Sequence, residues 1–192
     1  MKEKFNIFLR SILAGICIGL GGAIFLKLGG IIGAIMFAFG LLTVVHFKLP
    51  LYTGTAGFIE VNKFQEWFNM FIILIGNIIG CLLLSLLNIK GIDGSQLIQG
   101  RIDGGYLNSF LMAIGCGLIM TLIVKGGRDK NLLLILFGIP LFILLGFYHS
   151  IADAFYFAVS NMNVQYLPYY ILIVLGNFVG CNVPRLLKYI KE

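Results

Sequence analysis

The sequence is poor in charged residues, and this scarcity excludes a water-facing surface. Only 11% of the 192 residues are charged, whereas soluble globular domains carry about 25%. Hydrophobic residues make up 59% of the chain. Lipid must therefore cover most of the folded chain, and the composition indicates a membrane protein.

Residues that build enzyme and metal sites are also scarce. Eight acidic residues and two histidines form no paired carboxylates and no nucleophile–base motif at a recognisable spacing. The four cysteines lie within apolar runs, without Cys-x-x-Cys or Cys/His spacing, and are expected to be packing residues. These cysteines are Cys17, Cys81, Cys116 and Cys181. The sequence predicts no enzyme, no cofactor and no bound metal.

Basic residues outnumber acidic ones, and the formal net charge is +6. They lie between apolar runs and not on one face, and no nucleic-acid recognition motif accompanies them. Nucleic acid is therefore excluded as a partner. The basic residues are expected to orient membrane spans.

Six apolar segments approach the length of about 20 residues that a helix needs to cross a bilayer. The first is long for the apolar region of a signal peptide and precedes no convincing cleavage site, so it is expected to be a span. Two short pieces at membrane depth, residues 53–61 and 154–160, follow the second and fifth segments. The six predicted spans are Ile7–Leu28, Gly30–Phe47, Trp67–Ile89, Tyr106–Val124, Leu132–Phe147 and Tyr169–Ile190.

The basic residues divide unequally between the two ends of these spans. Ten lie on the side of both termini, and Lys27, Lys90 and Arg101 lie on the other side, with Lys48 unassigned inside a break. The positive-inside rule then places both termini in the cytoplasm, with the protein in the inner or plasma membrane.

The chain contains an internal repeat. The pattern Gly-Asn-x-x-Gly-Cys at residues 76–81 returns 100 residues later at residues 176–181. Gly19-Leu20 returns as Gly117-Leu118, and Phe39-Gly40 as Phe137-Gly138. The sequence therefore predicts one channel domain of two repeats, at about 7–90 and 104–190. Each has three spans, so the halves would be inverted, as in many transporters.

Two breaks fall at corresponding places in the repeats. Residues 46–54, which contain Pro50 and Gly54, interrupt the second span, and residues 146–153 interrupt the fifth. Irregular backbone at membrane depth persists only where it is buried in protein or lines a cavity. Spans two and five are thus predicted to be broken and to meet at the solute path.

Several polar side chains lie in or near these breaks. His149 and Asp153 are four residues apart, would share a helix face, and are expected to hold one proton between them. The alternative is a neutral His149 bound to backbone, with Asp153 at an interface. Thr53 could face His149 or cap a short helix. The amides of Asn77 and Asn177 can satisfy backbone groups freed by the breaks.

Residues 51–54, Leu-Tyr-Thr-Gly, and residues 146–153, Gly-Phe-Tyr-His-Ser-Ile-Ala-Asp, resemble motifs of the formate/nitrite transporter family. The Gly-Asn-x-x-Gly elements of the third and sixth spans are similar as well, so the resemblance covers nearly the whole chain. The departures are Tyr52 for Phe, Arg101 for Lys, Gly117 for Asn, Tyr148 for Glu and Asp153 for Asn.

The resemblance implies a homopentamer of six-span, aquaporin-like protomers, each with its own pore. It implies small monovalent weak-acid anions as solutes: formate, nitrite, hydrosulfide or lactate. It places His149 and Thr53 at the pore centre between apolar constrictions, and Arg101 in a vestibule. The implied constriction residues are Phe37, Leu41, Tyr52 and Phe142.

The sequence therefore predicts an all-α membrane channel or transporter for such anions, with proton coupling at His149. Arg101 would concentrate anions at the non-cytoplasmic mouth. An aquaporin-like channel for a small neutral or cationic solute is the alternative, because Asp153 would repel anions. A membrane scaffold without transport is a third possibility, but a scaffold needs no paired breaks.

Overall fold

The computed structural model describes residues 2–161 and 164–186, and this part of the chain contains helices and no strand. A 3-10 turn, Val164–Tyr166, precedes the last helix. The helices are α1 (Lys2–Leu28), α2 (Gly30–His46), α3 (Tyr52–Thr55), α4 (Phe64–Ser85), α5 (Ser95–Arg128), α6 (Leu133–Leu144), α7 (Ser150–Ala158) and α8 (Leu167–Leu186).

Four helical segments are long and apolar enough to cross a membrane: α1, α4, α5 and the stretch Val164–Arg185. Helices α2 and α6 are shorter and apolar. Each of the six predicted segments coincides with one helix, although residues 187–190 of the last lie outside the described residues. The largest difference is at α5, which begins eleven residues earlier than Tyr106 because Gly105, at φ 80°, joins two helical pieces across a kink.

Both breaks overlap the predicted ones but are shorter, because residues 52–54 and 150–153 are helical. Helix α2 ends at His46 and α3 begins at Tyr52, while α6 ends at Leu144 and α7 begins at Ser150. Each break turns through a residue in the left-handed region, Lys48 at φ 50° and Gly146 at φ 69°. The short pieces differ from the prediction: α3 is helical only to Thr55, and α7 already begins at Ser150 because His149 caps it.

The helices pack as two similar sets that exchange their short segments. Helix α1 packs on α2 and α4, and α5 packs in the same way on α6 and α8. The short helix α7 lies mainly against α4 and α1, with further contacts to α5 and α8, and α3 contacts α5, α4 and α8. Each short helix therefore helps to close the opposite set, which brings the two breaks to the middle of the molecule.

Glycines bring the long helices into close contact at equivalent places. A Cβ on Gly80 would overlap the Ile12 carbonyl, and one on Gly180 would overlap the Ile114 carbonyl. Gly117 faces the Asn177 carbonyl as Gly15 faces the Asn77 carbonyl. The predicted match of Gly19 with Gly117 is therefore wrong, because Gly15 has the equivalent contact.

The outer surface is strongly apolar. Large side chains such as Leu107 and Phe137 are 72% and 73% exposed. Apolar exposure on this scale is far beyond what a water-soluble monomer presents. The protein is accordingly a membrane protein, with lipid or other copies of the chain covering these helices.

Candidate functional site

The two breaks meet in a buried contact between His149 and Thr53. His149 Nε2 lies 2.9 Å from Thr53 Oγ1, and the two residues are 2% and 0% exposed. His149 Nδ1 accepts a hydrogen bond from the Ala152 backbone N–H at 3.1 Å, which caps α7. A ring nitrogen that accepts a backbone N–H carries no proton, so in the neutral ring Nε2 bears the proton and donates it to Thr53 Oγ1.

This contact leaves the Thr53 hydroxyl proton free to point elsewhere. The arrangement is a chain in which the Ala152 N–H donates to His149 and His149 donates to Thr53. Chains of this kind polarise each member in the same direction. Thr53 is thereby prepared to donate to an anion. The neighbouring Ser150 Oγ is buried without a hydrogen-bond partner among the described residues.

Asn77 fixes the first break. Its Oδ1 accepts from the Tyr52 N–H at 2.8 Å, and its Nδ2 donates to the Ser11 and Pro50 carbonyls at 2.8 and 3.0 Å. The Tyr52 N–H and the Pro50 carbonyl have no helical partner because the chain turns at Pro50, whereas the Ser11 carbonyl belongs to α1 and ties the break to that helix. These three contacts are of the kind expected for a structural role of Asn77.

Asn177 fixes the second break in the same way. Its Oδ1 accepts from the Ser150 N–H at 2.8 Å, and its Nδ2 donates to the Ala113 and Tyr148 carbonyls at 2.9 and 2.8 Å. The two asparagines thus make one pattern twice. They set the backbone that carries Thr53 on one side and His149 on the other.

Two cysteines support the same segments, a role that the sequence analysis missed. Cys81 Sγ donates to the Ile151 carbonyl at 3.2 Å, and Cys181 Sγ donates to the Thr53 carbonyl at 3.3 Å. Each thiol comes from the Gly-Asn-x-x-Gly-Cys pattern, which is the signal that could have indicated the role. The pattern therefore places an amide and a weak thiol donor one helical turn apart against a break.

The residues expected to form constrictions are buried. Phe37 and Phe142 meet edge to face, with ring centroids 6.0 Å apart and an interplanar angle of 88°. Phe142 also lies 5.9 Å from the His149 ring. Leu41 is fully buried one turn after Phe37 on α2. Tyr52 is 3% exposed, and its hydroxyl donates to the Val174 carbonyl at 3.1 Å.

Asp153 is held apart from His149. Its Oδ2 accepts from Arg101 Nε at 3.2 Å and from the Tyr166 hydroxyl at 2.8 Å, and its Oδ1 accepts from Arg101 Nη2 at 3.1 Å. Both ring nitrogens of His149 have other partners. The predicted pair of His149 and Asp153 sharing a proton is therefore wrong, because Arg101 and Tyr166 occupy the carboxylate.

Arg101 is also placed differently from what the sequence predicts, which is an exposed positive charge at the mouth of the pore. It is 9% exposed, and its guanidinium carbon lies 4.2 Å from the centroid of the Tyr148 ring. Its Asp153 contact forms a buried ion pair between α5 and α7. Tyr166 was missed, since nothing in the sequence marks a tyrosine before the last span as a partner of Asp153.

A cavity of about 1300 Å³ opens beside the first break. Leu51, Gly54 and Thr55, which flank Thr53 in the sequence, are among its lining residues. Its wall carries several basic side chains and one acidic one: His46, Lys48, Arg128, Lys130 and Glu66. No cluster of side chains that could hold a metal ion occurs in residues 2–161 and 164–186.

Comparison with known proteins identifies the family and supports the fold. The model of the formate/nitrite transporter family matches residues 2–189. The chain is similar to the solved structure described as a pentameric formate channel with formate bound, with 20% identity, a TM-score of 0.79, and coverage of 98% of this chain and 96% of that one.

It is also similar to a structure described as an FNT family ion channel, with 20% identity, a TM-score of 0.80, and coverage of 96% of this chain and 89% of that one. Among curated proteins, no significant match is found. The family comprises membrane channels and transporters and not enzymes. The match over almost the entire length shows that this chain belongs to the formate/nitrite transporter family.

Proposed function

We propose that this protein is a membrane channel for small monovalent weak-acid anions such as formate, nitrite or hydrosulfide. The observation that carries the proposal is the buried contact of His149 Nε2 with Thr53 Oγ1, where the two breaks meet. Irregular backbone and polar side chains at this depth are costly unless they line a path. Family membership and the similarity to a formate channel support the choice of solute.

The assembled form we propose is a homopentamer, each protomer with six spans in two inverted repeats at about 7–90 and 104–190. The matching contacts of Asn77 and Asn177 and the exchanged packing of α3 and α7 support the repeat. The similar solved structure is a pentamer. We also propose that both termini lie in the cytoplasm and that the protein is in the inner or plasma membrane. The distribution of basic residues supports this orientation.

In this account the large cavity is the cytoplasmic vestibule. Lys48 and Lys130 lie in its wall, and both are exposed. Basic side chains in a concave, low-dielectric mouth raise the local concentration of anions. An anion that enters here reaches Gly54 and Thr55 first and then the Thr53 hydroxyl.

Passage of the solute beyond Thr53 is limited by the rings of Phe37 and Phe142. Moving a bare anion past Phe37 and Phe142 would strip its water without replacing all of its hydrogen bonds, which is costly. We propose that a hydronium ion in the vestibule protonates the anion at this step and is left as water, so that a neutral acid passes. Thr53 donates a hydrogen bond to the solute, and His149 remains a neutral donor to Thr53.

The role that we propose for His149 in proton coupling follows from the way its side chain caps α7. A second proton could bind only at Nδ1, which already accepts the Ala152 N–H. Protonation would turn this acceptor into a donor and remove the cap of α7. His149 therefore couples proton and anion passage by holding the hydrogen-bonded chain in one direction, and it does not store the proton.

The alternative of a channel for neutral or cationic solutes depended on Asp153 as a free carboxylate beside the path. Since Arg101 and Tyr166 bind that carboxylate, it does not present an uncompensated negative charge. The structure therefore removes the main support for that alternative.

The test is uptake of a solute panel by proteoliposomes that contain the purified protein, with and without an inward proton gradient. We expect formate, nitrite and hydrosulfide to enter faster than in empty vesicles, and faster still when the outside is more acidic. Uptake of urea or potassium without uptake of any weak acid would refute the proposal.

A further inference from the structure

Arg101 and Asp153 are the two charged side chains that are buried within the described part of the chain. The guanidinium spans both carboxylate oxygens, at 3.2 and 3.1 Å, and Tyr166 adds a third hydrogen bond at 2.8 Å. Taking two charges out of water is costly, and such a pair persists only with good geometry and additional hydrogen bonds. Neutral residues at these two positions would avoid this cost, so the presence of a buried ion pair requires an explanation.

The pair borders the path at the second break. Asp153 lies one turn of α7 after His149, since the Asp153 N–H donates to the His149 carbonyl at 2.8 Å. Arg101 lies over the ring of Tyr148, the residue directly before His149. The two charges are therefore close enough to act electrostatically on a solute at His149.

We propose that Asp153 is a selectivity-determining residue that cancels the charge of Arg101, so that a weak acid passes His149 with no net charge. This inference rests on the proposed function and specifies the permeant form of the solute. Arg101 alone would stabilise an anion beside the second break. Paired with Asp153 it contributes no net charge there, and the uncharged acid becomes the favoured species.

The expected size of the effect follows from Coulomb's law. A unit charge that acts over about 8 Å, at an effective dielectric constant of about 20, changes the occupancy of a monovalent anion by roughly 30-fold. Water and salt reduce this value, so a change of about tenfold is expected in an experiment. The direction of the change follows from the charge: an unpaired Arg101 raises the occupancy of the anion, and an unpaired Asp153 lowers it.

Four proteins separate charge from structure. The parent and the double variant Arg101→Gln/Asp153→Asn have no net charge at the pair. The variants Asp153→Asn and Arg101→Lys/Asp153→Asn each leave one positive charge. Asparagine keeps the shape of Asp153 and can still accept from Tyr166. Because two variants carry the positive charge, the comparison survives if one of them fails to fold.

The measurement compares formate current in planar bilayers with radiolabelled formate uptake in proteoliposomes, for each folded protein. Current reports the anion, whereas uptake reports anion and neutral acid together. We expect the parent and the uncharged double variant to show uptake with little current, and the two positive variants to show a ratio of current to uptake about tenfold higher.

Equal ratios in the parent and the positive variants would overturn the inference and leave the proposed function intact. A high ratio in the uncharged double variant would also overturn it, because charge would then not be the cause. If no protein takes up formate or another weak acid, the proposed function fails, and this inference fails with it.

Discussion

Replacing Thr53 by valine isolates the hydrogen-bonding role of its hydroxyl. Threonine and valine have nearly the same shape, and Thr53 is fully buried, so the packing is retained. The substitution removes the acceptor of the His149 Nε2 proton and the donor that we expect to meet the solute. The Thr53 carbonyl keeps its contact with Cys181, because that contact belongs to the backbone.

The magnitude follows from the missing partner. A buried polar group left without its hydrogen bond costs about 1–3 kcal/mol. If a solute at the narrowest point of the path bears this cost, flux falls by roughly 5- to 150-fold, since about 1.4 kcal/mol corresponds to tenfold in rate. Thr53→Ser keeps the hydroxyl and should retain most of the flux.

The assay is stopped-flow formate uptake by proteoliposomes, normalised to the amount of protein that elutes as the folded oligomer. A third variant, His149→Asn, keeps a side chain that is a favoured helix cap but removes the donor to Thr53. It should fold and should lose flux as Thr53→Val does. Parent-like flux and pH dependence in folded Thr53→Val protein would refute the role assigned to this contact.

Three further predictions concern the constriction and its support. Phe142→Ala should raise flux and admit larger monovalent anions such as lactate, whereas the exposed Phe137→Ala should not; size selection unchanged in both would place the path elsewhere. Asn177→Asp replaces the side-chain amide that donates to the Ala113 and Tyr148 carbonyls by a carboxylate oxygen. The free energy of unfolding, measured by thermal unfolding in detergent, should fall by more than about 3 kcal/mol. The control is Asn69→Asp at a half-buried position. Equal melting temperatures of the Asn177→Asp and Asn69→Asp proteins would contradict the support of the second break by Asn177. Gly80→Ala and Gly180→Ala should each prevent recovery of folded protein, because the added methyl meets backbone, whereas Gly100→Ala has open space and should be tolerated; a folded Gly80→Ala at parent yield would refute the close packing.

Much of the helical layout could be predicted from the sequence, because apolar run length and break residues are local properties. Pro50 marks the first break, and the repeated Gly-Asn pattern marks its support; Gly54, which the sequence predicts to lie in the break, lies within α3. The residue match between the repeats was less predictable. Gly19 and Gly117 share a dipeptide pattern, but the equivalent of Gly117 is Gly15, since equivalence depends on which carbonyl a glycine faces.

The partners of buried charges could not be predicted from spacing. His149 and Asp153 are four residues apart, which suggests a shared face, yet His149 lies at the cap of α7 and its ring is fixed by Ala152 and Thr53. Arg101 comes from 52 positions earlier, on the far side of the Gly105 kink. Only the packing of α5 against α7 brings it to the carboxylate.

The central claim is that each protomer conducts its solute past His149 and Thr53, and a structure of the protein determined by electron cryomicroscopy in formate tests it most directly. The account predicts five copies, each with formate density within hydrogen-bond distance of Thr53 Oγ1 and close to the Phe142 ring. A matched structure in chloride should lack that density. Formate bound only along the axis between protomers, with the contact of His149 and Thr53 closed and empty in every copy, would contradict the account.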